Sequence, residues 1–335
     1  MAQFPRVTIG DVARLASVAP STVSKAMNGT GQLREETRQR VLSAAAELGF
    51  VPDGLGRSLA SGRTYTVAIL TGDLTGRFSI PVLLGAENAL SADQFLVLLC
   101  DSRDDPLREQ HYLRHLVARR VEGIIVTGRR TEARPHVDVP MPVVYAFAQS
   151  EVDTDASVVV NDALGAEHVH EHLTTLGRRR IAHITGPSNQ RSARARAEAT
   201  SAAAAASGAP LVCSPLYGDW SEAWGRAAVD VLLKRYAAPV DAISCGNDII
   251  ARGVESRLRE HGLRIPDDVA VAGFDDWDVM VAGATPPLTS VALELDRVGR
   301  RAAEMLLDAI GGHPHSGVES ITPRLVARAS TLGGP

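Results

Sequence analysis

Two sets of residues carry chemistry. The first lies in "SVAPSTVSKAMNG", residues 17–29, where Ser21, Thr22 and Lys25 fall on the outside of a short helix with Pro20 at its first turn. A lysine can donate to guanine O6 and N7, and Ser and Thr hydroxyls serve bases or phosphates. A helix built only to pack has no use for such a face; a helix lying in a groove of DNA has. The second set is made of polar residues that end apolar runs: Asn161 and Asp162, Thr185, Asp219 and Trp220, Asn247 and Asp248, Asp275 and Asp276. Carboxylates and amides around an aromatic suit a polyol, giving it directed hydrogen bonds and a platform for a ring face. Asn161, Asp248 and Asp276 could equally cap the helix or turn that follows. Catalytic chemistry has little support, since no GxGxxG, Walker loop, GxSxG or HExxH occurs. His111 and His115 share a helix face without an evident third metal ligand, and His168, His170 and His172 spread over different faces. No catalytic residue, metal or cofactor is expected.

The elements that position these residues are legible in the hydrophobic period. Thr8 and Asp11 form a capping-box start, after which Ile9, Val12, Ala13 and Ala16 recur at helical spacing. A tight turn leads to Pro20, and Val23, Ala26 and Met27 give the second helix its inward stripe, ended by Asn28-Gly29. A third helix is expected from about Arg34 to Leu48, with Val41, Leu42, Ala45 and Leu48 inward. Three short helices with so tight a turn describe a helix-turn-helix. Residues 50–64, "FVPDGLGRSLASGRT", then read as a linker. From residue 66 short apolar runs such as "TVAIL", "FLVLLCD", "RIAHITG", "LVCSPLYGDW" and "AISCGND" alternate with amphipathic ones. That alternation predicts an α/β body of parallel sheets with helices on both faces, and ligands in such sheets bind beyond the carboxyl ends of the strands.

Charge is unevenly spread. Residues 1–63 hold eight basic side chains against five acidic ones, whereas the remainder holds 27 against 34. A basic module ahead of an acidic body points to nucleic acid as one partner. Cys100, Cys213 and Cys245 lie in apolar, strand-like runs without CxxC spacing, so buried free thiols are expected. The start "MAQFPRVTIGDVARL" has no apolar signal-peptide core and the chain has no run of about 18 apolar residues, so a cytoplasmic protein with no membrane partner is expected.

The segments "VTIGDVA", "VAPSTVSKAMNG" and "ETRQRVLSAAAELGFVPDGLGRSLASGRT" together resemble the head and hinge of the lactose/galactose repressor family of bacterial transcription regulators, and the likeness runs on to "PRLVARAST" near the C-terminus. It implies an all-α helix-turn-helix head at 1–49 and a hinge at 50–64 with a hinge helix at about 54–60. It further implies a two-lobe, periplasmic-binding-protein-like core at 65–335. The lobes would be discontinuous, about 65–160 with 291–321 and about 161–290 with 322–332. Implied functions are sequence-specific DNA binding, repression, and control by a small polar effector, a sugar or sugar derivative, held between the lobes. Implied partners are a pseudo-palindromic double-stranded operator and a second copy in a homodimer, because no leucine-heptad tail follows "TLGGP".

Residue by residue, the resemblance assigns DNA contacts to Thr8, Pro20, Ser21, Thr22, Ser24, Lys25 and Asn28. It matches Leu59 to a leucine that wedges into the minor groove, with Arg57 and Ser58 beside it. It matches Phe78, Arg196, Asn247 and Asp275 to effector contacts; Trp220 is the ring platform, and Asn161 stands where relatives carry an acid. Arg191, Arg194 and Arg196 together would permit an anionic group such as a sugar phosphate, although Arg191 and Arg194 read as solvent-facing. Two departures from the pattern bear on the head and hinge. Ala19 replaces a cap hydroxyl worth about 0.5–2 kcal/mol. Gly54 and Gly56 stand where Ala is common, each costing about 1 kcal/mol of helix propensity. Alanine at 54 and 56 is therefore expected to tighten operator binding in a titration; unchanged or weaker affinity would refute this. A sugar-transport receptor would share the core but would need a signal peptide.

Overall fold

The computed structural model describes residues 7–28, 31–50, 63–73, 76–235 and 239–333. The chain divides into two compact units, Met1–Tyr65 and Thr66–Pro335. The first holds α1 (Ile9–Ala16), α2 (Pro20–Asn28) and α3 (Glu35–Glu47). Helix α1 starts where Thr8 Oγ1 accepts the Asp11 N–H and the Asp11 carboxylate accepts the Thr8 N–H, so two otherwise orphan donors are met. Its end is tied by Arg40, whose Nε donates to the Ala16 carbonyl at 3.1 Å. Val12, Ala13, Ala16, Val23, Ala26, Val41, Ala44 and Ala45 make the core, small enough to bring three short helices into contact.

Two expected core residues of this unit are not inside. Ile9 is 41% exposed and Leu42 38%. Ile9 shares the Ala16 face, but as the first residue of α1 it lies past the end of its packing partners. Leu42 lies about 100° round α3 from Val41, off the stripe completed by Ala44 and Ala45. The hinge residues Gly54, Gly56, Arg57, Ser58 and Leu59, and the side chain of Asn28, lie outside the described residues.

The second unit contains two parallel sheets. One has the order β11-β5-β4-β3-β1-β2, formed by β1 (Thr66–Thr71), β2 (Leu96–Asp101), β3 (Gly123–Thr127), β4 (Val143–Ala146), β5 (Ser157–Val160) and β11 (Val318–Ile321). The other has the order β7-β6-β8-β9, formed by β6 (Ile181–Thr185), β7 (Leu216–Tyr217), β8 (Ala242–Cys245) and β9 (Ala270–Ala272). The α/β reading with helices on both faces is borne out. In the first lobe α5 (Pro106–Ala118) covers Ala68, Leu70, Ile124 and Val126 with Leu116. Strand residues alternate between faces, and a Cβ on Gly123 would meet Leu306 of α11 (Leu295–Ile310) on the opposite one. There α11 packs against α4 (Ser79–Ala92) at backbone distance: a Cβ on Gly85 would lie 1.9 Å from the Asp296 carbonyl oxygen, and one on Gly299 1.9 Å from that of Val82. Only glycine fits at both places.

The second lobe is covered by α6 (Asp162–Thr175), α7 (Arg191–Ala206), α8 (Glu222–Arg235), α9 (Asp248–Glu260) and the short α10 (Asp278–Val281); Val229, Leu232, Ile250, Val254 and Val281 share a core with Ile184 and Ile243. The chain passes between lobes after β5, between β10 (Ser290–Ala292) and α11, and between β11 and β12 (Arg324–Val326). Strands β10 and β12 pair antiparallel, so two of the passages run side by side. A short helix, α12 (Ala329–Leu332), is tied to the second lobe, with Ser330 Oγ donating to the Val271 carbonyl at 2.6 Å. Cys100 and Cys245 are buried in β2 and β8, but Cys213 is only half-buried and lies outside any strand. The run expected to form a strand at 211–220 keeps just the two residues of β7, since Pro210 and Pro215 deny the ladder their N–H groups.

Candidate functional site

In the first unit, the core fixes which side of α2 is free. Val23 and Ala26 point inward; Pro20, Ser21 and Lys25 are exposed, and Thr22 and Ser24 are half-buried beside them. The free side thus offers hydroxyls and one ammonium near the helix N-terminus. Thr8 is engaged in its cap, both accepting from the Asp11 N–H and donating to the Asp11 carboxylate at 2.7 Å.

In the second unit, the loops at the carboxyl ends of both parallel sheets face one another across a cavity of about 290 Å³. Phe78, Arg196, Trp220, Asn247 and Asp275 all line it, brought together from positions nearly 200 residues apart. Asn161 does not line it. Its Oδ1 accepts the Leu164 N–H at 3.0 Å and caps α6, and the neighbouring Asp162 pairs instead with Arg196 of the cavity wall. The side chain at 161 meets the helix's need for an acceptor, at a place off the cavity wall.

Arg196 organises the wall. It is 5% exposed, and Nε and Nη2 reach Asp162 Oδ1 at 2.8 and 2.7 Å. Nη1 donates to the Gly246 carbonyl at 2.5 Å and lies 3.5 Å from Asp275 Oδ1, while the guanidinium carbon stands 3.7 Å from the centre of the Phe274 ring. Asp275 itself adopts φ 104°, and burial holds its carboxyl above the usual range despite the Arg77 and Arg196 charges beside it. Asp248 accepts from Ser290 Oγ–H and from the Trp277 N–H at 2.8 Å; burial, with the Asp275 charge second, pushes it up to about 8. Behind the wall, burial and then the Arg196 charge drive His183 down to about 3. Asn247 caps α9 through the Ile250 N–H at 2.8 Å while lining the cavity. Trp220 is seated against Gly186, where a Cβ would lie 2.2 Å from the indole, and its Nε1 donates to Gln190 Oε1 at 2.6 Å.

The first lobe contributes residues that the sequence reading passed over. Arg77 Nη2 crosses to Asp275 Oδ2 at 2.6 Å, and its guanidinium lies over both the Phe78 ring (4.5 Å) and the Trp277 ring (4.8 Å). Phe78 stacks on Phe147 with centroids 5.2 Å apart. Arg129, Arg130, Thr131 and Glu132, in the loop after β3, complete the first-lobe side, and Glu132 Oε1 accepts the Arg191 N–H across the cavity at 3.1 Å. The signal for Arg77 and for Arg129 to Glu132 was the rule already used on the second lobe: "TGDLTGRF" and "VTGRRTE" also follow the carboxyl ends of apolar strands. Arg191 and Arg194 are exposed, as expected, and do not line the cavity. His170 and His172 are met by Ser207 and Thr331, and among the described residues no cluster of three metal-ligating side chains occurs.

The family of bacterial regulatory proteins, lacI family, matches residues 8–53, and a periplasmic binding protein-like domain matches residues 170–331. The HTH-type transcriptional repressor PurR of Aliivibrio fischeri (strain MJ11) is 32% identical over 336 residues, covering 97% of this chain and 98% of that protein. Among solved structures, the transcriptional regulator CelR–cellobiose complex is similar at 30% identity and a TM-score of 0.64, covering 97% of this chain and all of the other. The Lac repressor dimer bound to operator and the anti-inducer ONPF shares the fold at a TM-score of 0.78 and 24% identity, covering 98% of this chain and 100% of that one.

Proposed function

The chain belongs to the lacI family of bacterial regulatory proteins and is a DNA-binding transcriptional regulator, not an enzyme; we propose that it is a repressor controlled by a sugar or sugar derivative bound between its lobes. The observation that carries this reading is the cavity at the facing carboxyl ends of two parallel sheets, where an aromatic stack and Trp220 offer ring platforms beside Arg196, Asn247 and Asp275. Ligand contacts that differ between open and closed lobes would shift that equilibrium and so operator affinity. A similar regulator solved with cellobiose supports a carbohydrate effector. The DNA contacts are assigned to Thr8, Pro20, Ser21, Thr22, Ser24, Lys25 and Asn28, and to Arg57, Ser58 and Leu59 of the hinge. The head is 1–49, the hinge 50–64 and the core 65–335, with the lobes bounded as above. The chain acts as a homodimer on a two-fold operator in the cytoplasm. Among the described residues no helix is long and apolar enough to cross a membrane.

The test is selection of bound fragments from the source genome by the purified full-length protein at stated, moderate salt. Enrichment of a roughly palindromic site with a kinkable pyrimidine–purine centre is expected, and Lys25→Ala should weaken binding to it by about tenfold. No enrichment over random fragments, or full affinity in the Lys25 variant, would refute the assigned reading helix.

A further inference from the structure

The charge of the cavity is not that of its surroundings. The body of the chain is acidic, yet Arg77, Arg129, Arg130 and Arg196 line the cavity against only Asp275 and Glu132. The two deeper arginines are already answered by carboxylates, Arg77 by Asp275 and Arg196 by Asp162 and Asp275. The two at the first-lobe mouth are answered weakly or not at all. Arg129 lies 3.8 Å from Asp104 with both side chains about half exposed, and Arg130 has no partner among the described residues. Next to them the Thr131 hydroxyl oxygen is buried without a partner among the described residues. Glu132, the acid of this loop that lines the cavity, is turned to the Arg191 N–H, and Asp138 of the same loop borders only the adjoining hollow. Both mouth arginines also border an adjoining first-lobe hollow of about 640 Å³, so the space around them is open to a group larger than water.

We propose that the effector carries an anionic group, a phosphate ester or a carboxylate, held at the first-lobe mouth by Arg129, Arg130 and the Thr131 hydroxyl. Two guanidinium forks and one hydroxyl donor match the acceptor-only oxygens of such a group, and a positive lining inside an acidic body concentrates anions there. The ring of the effector then rests on the Phe78–Phe147 stack, 5.2 Å between centroids, which borders the same cavity. This inference rests on the cavity being the effector site, and it replaces Arg191 and Arg194, which stand outside, with arginines of the opposite lobe as the anion holders.

The experiment is calorimetric titration of the full-length protein with inorganic phosphate, glucose, glucose 6-phosphate and glucuronate. Each is repeated on the Arg129→Gln, Arg130→Gln pair and on Trp220→Leu, with circular dichroism and a cooperative urea transition confirming that the variants fold. An anionic probe is expected to bind at least about tenfold more tightly than glucose, and to lose about tenfold in the paired arginine variant. Preference for glucose 6-phosphate assigns a phosphate, preference for glucuronate a carboxylate. Glucose binding as tightly as its charged partners and indifferent to the arginine pair would overturn the inference and leave the cavity reading standing. Anion binding unchanged in both the arginine pair and Trp220→Leu would overturn the cavity reading as well. No binding by any anionic probe, inorganic phosphate included, also overturns the inference.

Discussion

Replacing Arg196 by Leu will destabilise the core at pH 7 by about 3–5 kcal/mol, the cost of leaving the largely buried Asp162 carboxylate without its counter-charge and Asp275 with Arg77 alone. Arg196 is the one group that meets Asp162 at 2.7 Å, approaches Asp275 and satisfies the Gly246 carbonyl, with its side chain 6% exposed. Leucine keeps the stem packing on Phe274 and removes every one of those bonds. The loss should shrink as the pH falls, because Asp275, held above the usual range by burial and left with Arg77 alone, can then take up a proton. Arg196→Lys should fall between, keeping the charge and losing the fork. Urea unfolding followed by tryptophan fluorescence at pH 7 and pH 5 measures both effects. A loss below about 1 kcal/mol, of the size of a surface pair, would show that the network is solvated rather than buried.

The second large effect belongs to Glu255. It is buried in α9, Oε1 has no partner among the described residues, and burial pushes the carboxyl up to about 8. The folded chain therefore keeps a proton that the unfolded chain releases near the ordinary value of 4.5. Its contribution to stability is full below that value and is lost as the pH rises through about 8; Asp248 acts in the same direction. Glu255→Gln should leave stability at pH 5 nearly unchanged and raise it at pH 9 by several kcal/mol, on the order of 3–5. At the acid end the opposite holds for Asp230, Glu260 and Asp268, which arginine partners draw down to about 2 and which lose their bonds as they protonate. Equal pH dependence in parent and variant between 5 and 9 would mean that Glu255 is ionised in the folded protein.

The fold was legible because its pattern is local. Alternating apolar strands and amphipathic helices announce a parallel sheet, and Thr8-x-x-Asp11 and Pro20 announce helix starts wherever they occur. The pairing of β11 with β5 is not local: Val318 registers with Ser157, and nothing in "VESI" says which edge it will join. The cavity was half legible for a related reason. Strand-end polar residues such as Asn247 and Asp275 stand out by type, whereas Arg129 and Arg130 look like any exposed basic pair until the opposite lobe faces them. Asn161 shows the converse, a residue of the right type that caps its helix away from the cavity, whereas Asn247 makes the same cap and lines it.

The close seating of α11 on α4 bears on the order in which the molecule can be made. As the chain leaves the ribosome, residues 66–160 are the first of the second unit to emerge, carrying the strands β1 to β5 and helix α4 with its Gly85 groove empty. The helix that fills that groove follows residue 294, and the edge strand β11 comes later still. The sheet strands of the second lobe, by contrast, are all supplied between residues 181 and 272 without interruption. The lobe that is synthesised first is thus the one whose sheet is completed last, and for the whole of that interval its unfinished face is the surface most in need of protection from other chains.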